Sequence, residues 1–96
     1  MKLKKVKIAG HSYKIKYKDS LVREHGATGM SSEANCDIIL QTGGKRSHRQ
    51  EIFIHEIVEQ INGRFEIGLS HDKITSIAAS LFQVLKDNPD LLAGVH

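Results

Sequence analysis

Apolar and polar residues alternate along two segments near the start of the chain, KLKKVKIAG and HSYKIKYKD. In the second segment Tyr13, Ile15 and Tyr17 share one face, and lysines occupy the other. Alternation with a period of two residues is typical of a strand with one buried side and one solvent-facing side. Gly10 separates the two segments and can supply a tight turn, so the pattern predicts a β-hairpin.

The next part of the chain is rich in turn-forming residues and holds two shorter candidate strands. We predict a short strand near residues 27–31, because the turn-forming residues Gly26, Gly29 and Asn35 lie around this stretch. The compact run CDIILQ contains the β-branched Ile38 and Ile39 and predicts a further strand. Two consecutive glycines follow this run, so residues 1–42 are interpreted as a β-rich region.

After the two glycines, the apolar residues follow the period of a helix. One helical stripe consists of Ile54, Ile57, Val58, Ile61 and Phe65. Ser47, with Gln50 three residues later, matches a capping box at a helix start. The pair Asn62-Gly63 is typical of a helix end. These features predict a helix over residues 45–63.

A second helix is predicted over residues 70–88. Ser70 is a favourable N-cap residue, and Asp72 places negative charge near the positive end of the helix dipole. Pro89 cannot continue a helix and restricts the residue before it. The apolar stripe of this helix consists of Ile74, Ile77, Ala78, Leu81 and Leu85.

The chain has 96 residues, which is enough for one small domain over residues 1–96. Strands followed by helices indicate an α+β fold. We expect a small antiparallel sheet of three to four strands, followed by two helices that pack on one face of the sheet. This packing is required because neither a sheet nor an amphipathic helix can bury its apolar side alone.

The two halves of the chain carry opposite net charge. Residues 1–50 contain 11 Lys and Arg against 4 Asp and Glu, a balance of +7. Residues 51–96 contain 3 against 7, a balance of −4. Clustered cations can bind nucleic-acid phosphates. The lysines of the first half mostly alternate with apolar residues, however, so we favour the solvated face of a sheet and disfavour a nucleic-acid partner.

Composition also argues against a membrane span and a disulfide. No apolar run approaches the ~18 residues that a membrane helix needs. Cys36 is the single cysteine, so the chain cannot form an internal disulfide. A single cysteine fits the reducing conditions of the cytoplasm.

The helix sequence IFIHEIVEQIN contains residues that bind or assist metal ions. His55 and Glu59 are four residues apart, so they stand one turn apart on the same side of a helix. Imidazole nitrogen and carboxylate oxygen both bind zinc at about 2.0–2.2 Å. Glu56 lies about 100° round the helix. From there it could act as a general base toward the water that a catalytic ion activates.

A catalytic zinc site usually has three protein ligands, so a third ligand is required. His71 is the best candidate, because it lies in the first turn of the second helix, in line with the apolar stripe. Asp72 is the alternative ligand, or a hydrogen-bonding partner of the ligands. The remaining histidines are expected at the surface: His11, His25, His48 and His96.

The same residues also fit an interpretation without a metal. Glu56 and Glu59 would then belong to the wet face of an amphipathic helix, and His71 would be an ordinary residue at a helix start. A lone His-Glu-x-x-Glu pattern often occurs by chance, so the spacing alone favours this simpler interpretation.

The second half of the chain resembles the small zincin-like metallopeptidases encoded in phages and prophages of Gram-positive bacteria. The resemblance covers roughly residues 50–88 and rests on the segments IHEIVE, LSHDKI and LFQVLKDN. LFQVLKDN is the most specific of these segments, because metal chemistry does not require it. The first half is similar only as a β-rich region.

This resemblance implies a minimal zincin-like domain that acts as a metal-dependent hydrolase, most specifically a peptidase. It places the protein in the cytoplasm of a phage-infected or lysogenic bacterium, with a protein or peptide as substrate or partner. By position, His55, Glu59 and His71 would be the metal ligands and Glu56 the catalytic carboxylate. The fuller signature of the family has histidine where Glu59 stands. A carboxylate there lowers the Lewis acidity of the ion and shifts the preference from Zn²⁺ toward Mn²⁺ or Fe²⁺.

An alternative function stays open at this point. The chain could be a non-catalytic phage accessory or interaction module, in which the metal site is structural or vestigial. The histidine-to-glutamate difference and the short length of the chain favour this alternative.

Overall fold

Four strands and three helices make up the computed structural model, which describes residues 2–96. The strands are β1 (Lys5–Ile8), β2 (His11–Lys18), β3 (Gly29–Ser32) and β4 (Asp37–Gln41). The helices are α1 (Leu21–His25), α2 (Arg46–Arg64) and α3 (His71–Asp87). The α+β class is therefore confirmed, whereas the short α1 was not predicted. None of the helices within residues 2–96 combines the length and the apolar character needed to cross a membrane.

The four strands form one sheet in the order β1-β2-β4-β3. β1 pairs with β2, and β3 with β4, in the antiparallel sense. The prediction of a wholly antiparallel sheet is wrong at one pair, because β2 and β4 run parallel. The physical reason is the path of the chain. After α1 the chain returns at the far edge as β3, and the next turn inserts β4 between β3 and β2.

The main core lies between the sheet and α2. Its buried members come from the first, second and fourth strands: Ile8, Tyr13, Ile15, Ile38 and Leu40. α2 packs four partly buried side chains against them: Ile52, Phe53, Ile57 and Ile61. The opposite face of β1 and β2 exposes the lysines that alternate with the core residues: Lys5, Lys7, Lys14, Lys16 and Lys18. The predicted division of these strands into a wet face and a core face is confirmed.

Of the two helices predicted to cover the sheet, α2 does so, whereas α3 packs mainly on α2, where a second small cluster is buried. Val58 of α2 contacts Ile74 and Ala78 of α3, with Ile54 and Leu69 packed against them. Only two residues of the predicted α3 stripe are buried, and Phe82 is buried one turn further on. The rest of the apolar surface of α3 is 39–45% exposed, and it consists of Ile77, Leu81, Val84 and Leu85.

The two long helices begin in different ways. Ser70 caps α3 as predicted, since its hydroxyl accepts a hydrogen bond from the backbone N–H of Lys73 at 3.3 Å. The predicted cap at Ser47 is wrong, because α2 already begins at Arg46. Lys45 occupies the N-cap position of α2 in an extended conformation and makes no side-chain cap hydrogen bond.

The end of α2 also differs from the prediction. The helix continues through Gly63 to Arg64, and Phe65 takes the C-cap position. Phe65 is 62% exposed, so it does not extend the buried stripe of the helix. Asn62 lies within α2, and its side chain is hydrogen-bonded to the backbone of Leu69 beyond the helix.

Gly29 allows β3 to approach α2 closely. A Cβ atom at this position would overlap the Cγ2 methyl group of Ile52 and would lie 3.3 Å from Glu56 Oε2. The Ile52 methyl is attached directly to its own Cβ and cannot swing away freely. The glycine therefore sets the distance between the edge strand and the helix.

We predict that Gly29→Ala lowers the free energy of unfolding by about 1–3 kcal/mol, the usual cost of overpacking. Urea unfolding of the variant and the wild type measures this difference. Gly63→Ala is the matched control, because its Cβ would meet only Glu33 Oε2, at 3.8 Å. The control should be neutral or more stable by up to ~1 kcal/mol, since alanine favours helix over glycine. Equal stability of Gly29→Ala and the wild type would contradict the close approach.

Candidate metal centre

Three side chains that could bind a metal ion meet where the start of α3 contacts the middle of α2. His55 and Glu59 stand one turn apart on α2, and His71 is the first residue of α3. One potential ligand atom from each of the three lies within 4.8 Å of the other two. The structure therefore brings together the three residues that the sequence analysis selected, and their atoms could hold one metal ion.

The carboxylate of Glu59 lies close to both imidazoles of this cluster. Glu59 Oε1 lies 3.3 Å from His55 Nε2 and 3.4 Å from His71 Nδ1. Ligand atoms bound at about 2.0–2.2 Å to a tetrahedral ion lie about 3.3–3.6 Å apart. An N–H···O hydrogen bond is usually shorter, at about 2.7–3.2 Å. The carboxylate of Glu59 thus lies between the two imidazoles at a spacing that one ion could bridge.

The cluster is open to solvent on the side of α3. The side chain of His71 is 75% exposed, whereas those of His55 and Glu59 are 20% and 32% exposed. The two imidazole rings meet edge to face, with their centroids 5.3 Å apart. Solvent therefore reaches the cluster mainly at His71.

A side-chain clamp positions His71 relative to α2. Asn62 Oδ1 accepts a hydrogen bond of 2.8 Å from the backbone N–H of Leu69, and Asn62 Nδ2 lies 3.5 Å from the Leu69 carbonyl oxygen. Leu69 also packs into the cluster between α2 and α3. Because Leu69 lies two residues before His71, the clamp fixes the point at which α3 begins. The pair Asn62-Gly63 predicted a helix end, and the sequence contains no local signal for this role of Asn62.

Glu56 lies next to the cluster but points toward β3. Its side chain accepts a hydrogen bond of 2.7 Å from the hydroxyl of Ser31, and the residue is 8% exposed. Burial raises the pKa of Glu56 above its ordinary value, although the Ser31 hydrogen bond and the nearby His55 oppose the rise. The carboxyl group is therefore easier to protonate than an exposed glutamate.

A series of hydrogen bonds that begins at Arg64 holds the carboxylate of Glu56 in place. Arg64 Nε donates to the Tyr13 hydroxyl at 2.8 Å, and that hydroxyl donates to Gln60 Oε1 at 2.7 Å. Gln60 Nε2 donates to Ser31 Oγ at 2.9 Å, and Ser31 donates in turn to Glu56. Every donor in the series points toward Glu56, so the carboxylate is the final acceptor.

The spacing of polar residues in the sequence contains a signal for this series of hydrogen bonds, which the spacing of apolar residues does not show. Glu56, Gln60 and Arg64 recur every four residues, so they form a polar row along one side of α2. Tyr13 lies on the apolar face of its strand, and a buried tyrosine hydroxyl needs a hydrogen-bond partner. A polar row on a core helix together with a core tyrosine predicts such a partnership.

The other candidate ligands lie outside the cluster. Asp72 is exposed and does not belong to the group formed by the three ligands. The four histidines expected at the surface are all exposed: His11, His25, His48 and His96.

Comparison with known proteins assigns neither a function nor a ligand to this site. No protein-family model matches the chain, and neither curated proteins nor solved structures yield a match. The assignment of function therefore rests on the geometry of the chain itself.

We predict that the metal-free protein binds one Zn²⁺ or Mn²⁺ ion and is stabilised by it. At a free ion concentration of about one hundred times Kd, the free energy of unfolding should rise by about 2.7 kcal/mol. Thermal unfolding with and without the ion measures this change. His55→Ala and His71→Ala should each abolish it, because two remaining ligands hold an ion poorly.

His25→Ala is the matched control for this experiment, since His25 is exposed and lies outside the cluster. It should retain the full stabilisation by the ion. An equal ion effect in His71→Ala and the wild type would show that the cluster is not the binding site.

We predict that Glu56→Gln stabilises the metal-free protein in a pH-dependent manner. The raised pKa of Glu56 means that folding opposes its ionisation. At a pH above the folded-state pKa of Glu56, the folded wild type bears the full free-energy cost of a buried charge. At a pH below the ordinary, unfolded-state pKa, Glu56 is protonated in both the folded and the unfolded protein, and this cost vanishes. The variant should therefore be the more stable protein at about pH 8, with the difference shrinking toward zero at about pH 4. Urea unfolding with a chelator at both pH values tests this; a difference that grows toward low pH would contradict it.

Proposed function

We propose that this protein is a metal-dependent hydrolase, most specifically a peptidase. The observation that carries the proposal is the convergence of two imidazoles and a carboxylate from α2 and α3 beside a second, buried carboxylate. The first three groups suit a metal ion, and the fourth suits proton transfer. Catalytic zinc sites typically combine three protein ligands with a neighbouring general base.

An ion held by His55, Glu59 and His71 would polarise the carbonyl of the substrate and make the attacking water more acidic. Glu56 accepts the proton of that water and later delivers it to the leaving amine. Its raised pKa suits both steps, because a base whose pKa lies closer to the working pH returns its proton more readily. Ser31 donates a hydrogen bond to one oxygen of this carboxylate, Oε1, and so holds the group in place.

Glu59 determines which ion suits the proposed site. A carboxylate ligand adds negative charge, and this lowers the Lewis acidity of the ion compared with a third imidazole. Carboxylate ligands also suit harder ions, so Mn²⁺ and Fe²⁺ compete with Zn²⁺ here. We therefore expect a slower hydrolase than one with three histidine ligands.

The edge strand β3 provides a place for an extended peptide next to Glu56. The backbone N–H of Gln41 donates to the Thr28 carbonyl at 2.9 Å, so this residue pair is hydrogen-bonded across the strands. Bonded and non-bonded pairs alternate along antiparallel strands. The backbone groups of Gly29 and Ser31 therefore face away from β4, toward the open edge. A substrate strand that pairs there would lie beside the Ser31–Glu56 contact.

A non-catalytic interaction module is the second candidate function. The apolar side chains on the outer surface of α3 favour it, since Ile77, Leu81 and Val84 are 42%, 41% and 45% exposed. Exposed apolar surface of this kind often marks a contact with another protein. In this case any ion would serve to hold α3 against α2.

We predict that Glu56→Gln keeps the metal but abolishes hydrolysis of an unfolded protein substrate. Loss of a general base typically lowers kcat about 10²–10⁴-fold. Elemental analysis measures the bound ion, and release of peptides measures the activity. Glu51→Gln, which removes the same charge from α2 outside the cluster, should retain both.

The two candidate functions give different results in this experiment. Metal-dependent cleavage that the Glu56 variant loses supports the hydrolase. If the wild type binds the ion stoichiometrically and cleaves none of a broad set of unfolded substrates, the hydrolase proposal fails and the interaction module replaces it.

A further inference from the structure

A cavity of about 550 Å³ lies near the start of α2, away from the metal centre. The first two turns of α2, the second and fourth strands and the segment before β1 form its walls. None of His55, Glu59 and His71 lines it. The volume is in the range of sites that hold small molecules, which is about 300–1,000 Å³.

The inner wall of the cavity is apolar and partly aromatic. Ile15 and Leu40 are buried core residues of the sheet that also line the cavity. The rings of Tyr17 and Phe53 form further parts of the wall. The Tyr17 hydroxyl donates to the carbonyl of Leu3 at 2.9 Å, which ties the segment before β1 in place as one side. A flat apolar group would be removed from water on this wall.

The rim of the cavity is positively charged. Lys2, Arg46 and Arg49 line it, and none of its lining residues within the described part of the chain is acidic. Arg49 donates to the carbonyl of Gly43 at 3.0 Å, which holds its guanidinium group in one place. The ammonium group of Lys2 lies 4.8 Å from the centre of the Tyr17 ring.

None of these cations forms an ion pair with a carboxylate in the part of the chain that the structure describes. Within residues 2–96, the ion pairs of 4.0 Å or less do not include Lys2, Arg46 or Arg49. The first turn of α2 contains no acidic residue either, so the charge adds to the positive end of that helix dipole. An anion bound at the rim would relieve this accumulation of positive charge.

We propose that this cavity binds a small molecule that carries a phosphate or carboxylate group on a flat apolar body. The anion contacts Arg46 and Arg49 at the rim, where a guanidinium group can donate two parallel hydrogen bonds. The apolar body lies against Phe53 and Tyr17. The site is separate from the proposed hydrolase and does not depend on a metal ion.

Isothermal titration with phenyl phosphate, at fixed ionic strength and with a chelator present, tests the proposal. Phenyl phosphate should bind at least about tenfold more tightly than inorganic phosphate, because burial of the ring adds to the ionic contact. Benzoate compared with acetate provides the same test for a carboxylate. A higher affinity of phenyl phosphate than of phosphate, or of benzoate than of acetate, supports the site. The pair with the larger difference shows which anionic group the site prefers.

Two variants separate the contributions of charge and ring contact. Arg46→Gln should weaken the binding of phenyl phosphate about tenfold, because a charge-assisted contact is lost. Phe53→Leu should reduce the advantage of phenyl phosphate over inorganic phosphate. Lys14→Gln removes the same charge from the exposed face of β2, outside the cavity, and should leave the affinity within about twofold since distant surface charges are screened.

Three results would overturn the proposal. The first is the absence of measurable binding by both phenyl phosphate and benzoate. The second is equal affinity for each aryl anion and its parent anion, which would reduce the rim to ordinary surface charge. The third is a loss in Lys14→Gln as large as the loss in Arg46→Gln, which would show that net charge and not the cavity controls binding.

Discussion

The burial of α2 on two sides is the packing constraint on which the rest of the molecule depends. Ile57 and Ile61 pack toward the sheet, and Val58 packs toward α3. Polar side chains of α2 lie on the helix surface between these apolar contacts. His55 lies at the junction with α3, and Glu56 lies at the edge strand. A rotation of α2 that moved either side chain would also break the apolar contacts, so the two apolar clusters fix the orientation of both side chains.

The polar row of α2 is stable in a buried position because its members satisfy one another. Gln60 is 8% exposed, and both ends of its amide are hydrogen-bonded, to Tyr13 and to Ser31. Within residues 2–96, no buried side-chain nitrogen or oxygen lacks a hydrogen-bond partner. An unpaired group there would cost about 1–3 kcal/mol. The hydrogen bonds of Gln60 therefore offset the free-energy cost of burying its amide group. Glu56, whose pKa is raised by burial, keeps a net cost of desolvation.

Local signals in the sequence predicted the parts of the fold that neighbouring residues decide. The first hairpin, the Ser70 cap and the helical spacing of His55 and Glu59 follow from residues a few positions apart. The parallel pairing of β2 with β4 could not be predicted in this way, because it depends on where a later strand enters the sheet. The buried face of α3 was also ambiguous. The rows Ile74-Ala78-Phe82 and Ile77-Leu81-Leu85 both have a spacing of four, and only contact with α2 selects the first.

The position of the three candidate ligands would link ion binding to the smaller of the two apolar clusters that α2 joins. α3 is joined to α2 through a small cluster around Ala78, and much of its apolar surface stays exposed. His71 belongs to α3, whereas His55 and Glu59 belong to α2, so an ion held by all three would tie the helices together. A ligand that binds only the docked arrangement stabilises that arrangement, and a more firmly docked α3 binds the ion more tightly by the same free energy. The Asn62 clamp on Leu69 would therefore contribute to the affinity of the cluster for an ion without touching that ion, because it holds the start of α3 in place.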